Sequence, residues 1–269
     1  MYRLHIDAKP TEMTKSQGPI TNKVPRTNNQ KSKIWAFIWD KIQFLLVSIA
    51  VFAVIYVVIN WQALQMNVEY YWNSFNGVKS PLEQLVQDNA TQFDNVSLTD
   101  LGDKTLEKIP PLNVEVFPTD TRVVIPRINQ NVPVVGVKNE NLVARKWNEL
   151  EKDMQNALQN GVVHYPGTAL PGDNGNVVIT GHSSYYAWDA GSFKDVFALL
   201  HDVKMGDKVV VYFNQKKFIY EVFEIKTVSP KDVDVLAPTN SEQLTLITCT
   251  PIGTNLKRLV VTARLVEKG

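Results

Sequence analysis

The chain has 269 residues, longer than one average domain and short enough to be one globular unit with appendages. A formal net charge of +1 lacks the basic excess of a nucleic-acid binder, so no nucleic-acid partner is expected. The single cysteine excludes an intramolecular disulfide framework and leaves two readings for that residue, a small buried hydrophobe or a reactive thiol.

Residues 1–32 are polar, rich in Lys, Asn, Thr and Pro, and without helical or strand period, which predicts disorder. From Ile42 to Ile59 the sequence IQFLLVSIAVFAVIYVVI is uncharged, with Gln43 and Ser48 as its polar residues. Apolar on every face, it suits a helix crossing roughly 30 Å of hydrocarbon better than a buried helix of a small core. Eight basic residues (Arg3, Lys9, Lys15, Lys23, Arg26, Lys31, Lys33, Lys41) precede it against three acidic ones (Asp7, Glu12, Asp40). The positive-inside rule then leaves the amino terminus in the cytoplasm and the chain after Asn60 outside. Trp35, Trp39 and Trp61 suit the two interfaces. The polar lead is too long for an ordinary signal-peptide n-region and no small-x-small cleavage site follows, so a retained signal-anchor is expected.

These signals divide the chain into a cytoplasmic segment (1–41), a transmembrane helix (42–61), an extracellular connector or stalk (62–115) and a globular domain (116–269). Within the connector, Ser80-Pro81-Leu82-Glu83 has a helix-start signature, and Pro110-Pro111 closes it. A stalk is the simpler expectation, and a segment folding over the active site the sharper one. Beyond it, RVVIPRI, VPVVGV, NVVITG, DKVVVYF, KFIYEVFEIKTV, LTLITC and RLVVTARL are β-rich runs separated by Gly, Pro, Asn and Asp. FIYEVFEI alternates as a strand with one wet face. Two helices are predicted among them. One runs through NLVARKWNELEKDMQNALQN with a core stripe of Val143, Trp147, Leu150, Met154 and Leu158. The other is shorter, in SFKDVFALLHDVKMGD, with Ser192 as its cap. Seven or more strands with few helices predict a mainly β fold, a closed or nearly closed barrel with helical insertions.

Cys249 ends the run Leu244–Cys249, where a nucleophile is held by a rigid strand yet reachable. His182 closes the strand Asn176–Thr180 in the same way. His5 falls on the other side of the membrane, His201 ends a short helix where a cation suits the dipole, and His164 is expected in a loop. Arg258 opens the strand after Cys249; in a hairpin it would face the thiol and could offer fixed donors to an oxyanion, or be an ordinary surface charge.

Together these segments resemble the sortase family. The nucleophile motif TLxTC reads Thr245-Leu246-Ile247-Thr248-Cys249, the arginine stands at Arg258, and Asn176–His182 is similar to the family's GNVVIAGH-type strand. The lead-in from His164 to Gly172 is similar too, and the likeness covers roughly residues 115–266 without choosing a subclass. The resemblance implies a β-barrel of about eight strands and a cysteine transpeptidase. It makes Cys249 the nucleophile, His182 the acid/base and Arg258 the oxyanion or substrate clamp, with Thr248 as a substrate contact. It implies surface proteins bearing a C-terminal, LPxTG-like sorting signal as substrates, and an amine of the cell wall or of another protein as acceptor. No cofactor is expected, and calcium is not assigned because no acidic cluster has ligand spacing. The long connector without a lid motif, and the lack of a second apolar span near Gly269, depart from pilus polymerases; the insertion near 141–160 could shape the substrate groove. Papain-like enzymes place Cys before His, and the L,D-transpeptidase signature is absent. The alternative from another class is an inert, membrane-tethered β-domain that binds wall polymer or a protein.

Overall fold

The computed structural model describes residues 28–86, 117–185 and 190–269. The amino-terminal segment expected to be disordered lies outside these up to residue 27, as do residues 87–116, which take in the rest of the connector with Pro110-Pro111. By its contacts the chain forms two units, Met1–Val51 and Phe52–Gly269.

The first unit carries most of a helix, α1 (Asn28–Ile59), which begins well before the apolar run. Its stretch Trp35–Ile59 is long and apolar enough to cross a membrane, and none of it is buried.

The second unit is built on a closed barrel. Its strands are β1 (Arg122–Ile125), β2 (Gln130–Gly136), β3 (Val162–His164), β4 (Asn176–Thr180), β5 (Lys208–Phe213), β6 (Lys216–Val228), β7 (Gln243–Thr250) and β8 (Lys257–Lys268). The order around the barrel is β1-β2-β3-β4-β7-β8-β6-β5, closed by β5 on β1. Two neighbours are parallel, β2 with β3 and β4 with β7. The fold is therefore the mainly β, closed barrel of eight strands that the sequence predicts. The strand without a run of its own in that reading is β3, three residues long, and it takes His164 out of the expected loop.

Alternation along the strands separates two faces. Val123, Ile125, Val177, Ile179, Leu244, Leu246, Val261 and Ala263 fill the barrel. The other face is covered in patches: Val178, Ile247 and Val260 lie under Tyr165, Val235 and Leu236. Ile219 on β6 joins Val124 and Tyr212 beneath Leu82, Leu85 and Phe117. FIYEVFEI thus has a wet face at Glu221 and Phe223, but not at Ile219.

The connector begins as structure packed on the barrel, not as a bare stalk. Helix α2 (Trp61–Phe75) buries Ala63 and sets Met66 and Tyr70 against the interior cluster. Ser80 does start a helical segment, Pro81–Val86, of 3-10 type; the Leu82 N–H donates to its hydroxyl at 3.2 Å.

The insertion is two helices, α3 (Glu140–Val143) and α4 (Trp147–Leu158). Arg145 breaks it at φ 55°, with the Lys146 N–H closing on the Asn141 carbonyl at 2.9 Å, a left-handed helix stop. The predicted core stripe shortens accordingly. Leu150, Met154 and Leu158 are buried, while Val143 and Trp147 are 80% and 61% exposed. The second predicted helix is not α-helical. Residues 195–202 form successive tight turns ending in a 3-10 segment, Leu200–Asp202, with N–H donors reaching carbonyls three residues back. Val196 to Leu200 are all buried, and a run buried on every side has no amphipathic stripe to fix an α-helix.

Candidate active site

Cys249 is the penultimate residue of β7, and its Cα partner across the antiparallel ladder is Arg258, the second residue of β8. Arg258 is flanked on its other side by Val228 of β6. Counting by twos from the partners Ile247 and Val260 puts Cys249 and Arg258 on the outer face of the barrel, at the end where the strands turn. The thiol is partly exposed.

His182 reaches the same rim through β4, which runs parallel to β7 with Thr180 opposite Ile247. The pairing continues past the strand end. The Gly181 N–H donates to the Ile247 carbonyl at 3.1 Å, and the Thr248 hydroxyl donates to the Gly181 carbonyl at 2.8 Å. Gly181 is required there by contact: a Cβ would lie 2.8 Å from the Phe197 ring and 2.9 Å from Val162.

The imidazole is half-buried and stacks on Tyr185, centroids 4.5 Å apart at 27°. Burial lowers its pKa below the ordinary value, so the neutral ring is the resting form near neutral pH. It also borders a small cavity with Gln155, Leu158 and Gln159, so α4 of the insertion reaches the histidine side of the site. The His182 carbonyl accepts from the Phe197 N–H at 2.9 Å, tying the histidine segment to the turns below it.

The Arg258 guanidinium is turned onto its own loop, donating to the Asn255 and Lys257 carbonyls at 3.1 and 3.2 Å. Among the described residues no hydrogen bond joins the Cys249, His182 and Arg258 side chains. The backbone brings the three to one rim. Among the same residues no group of three His, Cys, Asp or Glu side chains has the spacing of a metal site.

The two other described histidines are occupied elsewhere. His164 Nε2 lies 2.8 Å from the Ala169 carbonyl and 3.2 Å from the Thr168 hydroxyl. His201 pairs with Asp202 at 3.2 Å, on the 3-10 segment. His5 lies outside the described residues.

Thr248 differs from its expected role as a substrate contact. It is 3% exposed, and its hydroxyl is spent on Gly181. The first threonine of the motif is a fastener as well: the Thr245 hydroxyl donates to Asn176 Oδ1 at 2.7 Å. Asn176 Nδ2 in turn holds the Val235 and Ala237 carbonyls of the β6–β7 connection at 3.0 and 3.2 Å. Two residues at the site escape a reading of the sequence, Tyr185 stacked on His182 and Ser184, whose hydroxyl accepts from the Gly253 N–H at 2.8 Å. Their one signal is nearness to His182 in the chain.

The Sortase domain family model matches residues 123–266, more than half of the chain and the whole of the barrel but for the first residue of β1 and the last two of β8. Sortase A of Bacillus anthracis is 25% identical over 179 residues, covering 66% of this chain and 70% of that protein. Sortase D of Bacillus subtilis (strain 168) is 26% identical over 146 residues, or 53% of this chain and 61% of the relative, under two thirds of its length. Among solved structures, Sortase A from Corynebacterium diphtheriae is 32% identical, with 58% of this chain and 63% of that one covered at a TM-score of 0.44. With the family model spanning the barrel and the site's three elements inside the match, the chain belongs to the sortase family.

Proposed function

We propose that this chain is a membrane-anchored cysteine transpeptidase, as sortase family members are. It would act on surface proteins that carry a C-terminal, LPxTG-like sorting signal. The observation that carries the reading is the Cys249–Arg258 register pair, with His182 at the exit of the parallel strand beside it.

In the reaction, neutral His182 takes the thiol proton as Cys249 sulfur attacks the threonine carbonyl of the sorting signal. The carbonyl π electrons pass to oxygen, and Arg258 donates hydrogen bonds to that oxyanion or to the neighbouring substrate carbonyl. Collapse re-forms the carbonyl and breaks the peptide bond. The imidazolium gives its proton to the departing amine, leaving a thioester on Cys249. An amine of the cell wall or of another protein then attacks, gives a proton to His182, and expels the thiolate, which recovers the proton. These three side chains complete the cycle, so the proposal includes no cofactor; a calcium requirement is left to direct titration. The domain acts outside the membrane, with the amino terminus in the cytoplasm.

The test is to incubate the protein with a sorting-signal peptide library and amine nucleophiles and to identify products by mass. Acyl–amine conjugates that vanish in Cys249→Ala are expected. Conjugates that persist in that variant, or none with any peptide, would sink the reading.

One observation favours a second reading, an inert tethered β-domain that binds wall polymer or a protein partner. Arg258 is engaged with its own loop carbonyls, as a structural residue would be. Alkylation separates the two, because the thiol of a binding module has no reason to react faster than a free cysteine.

A further inference from the structure

The loop from Pro251 to Leu256 joins the nucleophile strand β7 to the arginine strand β8. Its internal bonds are few: the Thr254 N–H and hydroxyl both reach the Pro251 carbonyl, at 3.0 and 2.8 Å. Arg258 adds a bond from β8 to the Asn255 carbonyl at 3.1 Å, and the rest of the loop's hold comes from two other sides. On one, the Gly253 N–H donates to Ser184, two residues beyond His182. On the other stands the last turn of α1 and the residue after it. The Tyr56 hydroxyl donates to the Ile252 carbonyl at 3.0 Å. Asn60, 5% exposed, donates to the Tyr56 carbonyl at 3.0 Å and lies flat against Gly253. A Cβ on Gly253 would sit 2.5 Å from Asn60 Oδ1, and the backbone there has φ +79°, so glycine is required twice over.

We infer that Tyr56 and Asn60 are positioning residues of the active site: the outer end of the apolar helix holds the β7–β8 loop, and through it the mutual placement of Cys249 and Arg258. This rests on the proposed roles of those two residues. Tyr56 belongs to the stretch Trp35–Ile59 that can cross a membrane, so the proposed anchor contributes to the site as well as tethering it. The physical ground is that a loop with little bonding of its own samples many conformations unless outside contacts select one. A displacement near 1 Å at a reacting group costs about 10²-fold in rate. Loss of one neutral hydrogen bond to such a loop is expected to cost about tenfold in kcat.

The test uses the full chain in nanodiscs, with Tyr56→Phe, which removes one hydroxyl, and Asn60→Ala. Three quantities are read: amide exchange across residues 252–254, the rate of Cys249 alkylation against pH, and kcat and KM for a sorting-signal peptide. Expected are faster exchange confined to that loop, an altered alkylation profile, and kcat about tenfold lower with KM within about twofold. Exchange as in the wild type, whatever happens to kcat, overturns the inference. So does faster exchange with alkylation and kcat unchanged. A wild-type protein that turns over no peptide would defeat the transpeptidase reading instead, and exchange with alkylation would still decide whether Tyr56 and Asn60 hold the loop.

Discussion

Cys249 stands directly opposite Arg258 in the β7–β8 ladder, so the ends of one hairpin bring a thiol and a guanidinium to the same outer face. Replacing the thiol tests the centre of that pair. Cys249 is partly exposed at a strand end, so Cys249→Ala removes one sulfur without opening a core cavity. The melting temperature should stay near that of the wild type, within the ~0.5 kcal/mol usual for such positions. Acyl-enzyme, read by intact mass with a sorting-signal peptide, should be absent. Since the chain has no other cysteine, turnover near wild type would exclude covalent catalysis through a thiol.

His182 should leave a signature in both activity and stability. His182→Ala is expected to lose ~10²–10⁴-fold in transfer, as for other general acid–base groups. Burial lowers the folded-state pKa of this imidazole below that of the unfolded chain. Well above pH ~6.5 both states are neutral and its contribution is fully present. As pH falls, the unfolded chain takes the proton first, so stability is lost through pH 6.5 and down past the folded-state value. Melting curves of wild type and His182→Gln, from about pH 8 to about pH 5, should therefore converge on the acid side. The acid limb of the rate profile should fall below pH 6.5 for the same reason. Parallel melting curves would contradict this account.

Thr248 should behave as a strand fastener. Thr248→Val keeps the shape but strips the Gly181 carbonyl of its donor, a loss of about 1–3 kcal/mol in stability. The gap it opens lies between the Cys249 and His182 segments, so kcat should fall while KM stays within about twofold. Thr248→Ser, which retains the hydroxyl, should recover most of both. A raised KM at unchanged melting temperature would restore Thr248 to a direct substrate contact.

The proposed orientation rests on the charge before Ile42. External protease on intact cells should cut residues after Asn60 and spare the amino-terminal segment. Shaving of the amino-terminal segment with protection of the barrel would reverse the proposed topology and remove the surface-protein function.

Legibility from sequence tracked how local the determining physics was. The strands from Arg122 to Ile125 and from Leu244 to Cys249 could be read because β-branched runs between turn residues need no partner to identify them. β3 had no such run, since Val162 and Val163 are defined by pairing with β2 and β4. The helix expected in SFKDVFALLHDVKMGD failed because Val196–Leu200 is buried on all sides, and packing, not periodicity, sets its turns. Val143 and Trp147 fit a helical stripe, yet Arg145 breaks the helix between them. The strand-end placement of Cys249, His182 and Arg258 was legible in the motif, but the work of Thr245 and Thr248 was not. The hydroxyls of Thr245 and Thr248 reach across to β4 and its exit, a contact set by barrel closure some seventy residues away in sequence. The hold of Tyr56 and Asn60 on the loop after Cys249 is of the same long-range kind.

Arg258 gives the sharpest division between a structural and a catalytic site. It sits in the ladder opposite Cys249, yet its guanidinium donates to the Asn255 and Lys257 carbonyls. If those bonds are its whole function, Arg258→Ala should loosen the loop, cost no more than about 1 kcal/mol and leave transfer nearly intact. If the guanidinium swings to the substrate, removing a donor aimed at developing negative charge should cost about 10²–10³ in rate at little change in stability. The swing is inexpensive, because both present bonds are to exposed carbonyls that water can satisfy. Arg258→Lys separates charge from geometry. Lysine keeps the cation but lacks the planar fork, so it should rescue poorly where two directed bonds matter. Iodoacetamide labelling of Cys249 should continue in both variants if Arg258 acts on the substrate oxygen and not on the thiol. Acyl-enzyme formation, alkylation and a melting curve on the same samples decide the matter. Full activity in a well-folded Arg258→Ala protein would return this residue to the loop and leave Cys249 and His182 to carry the reaction.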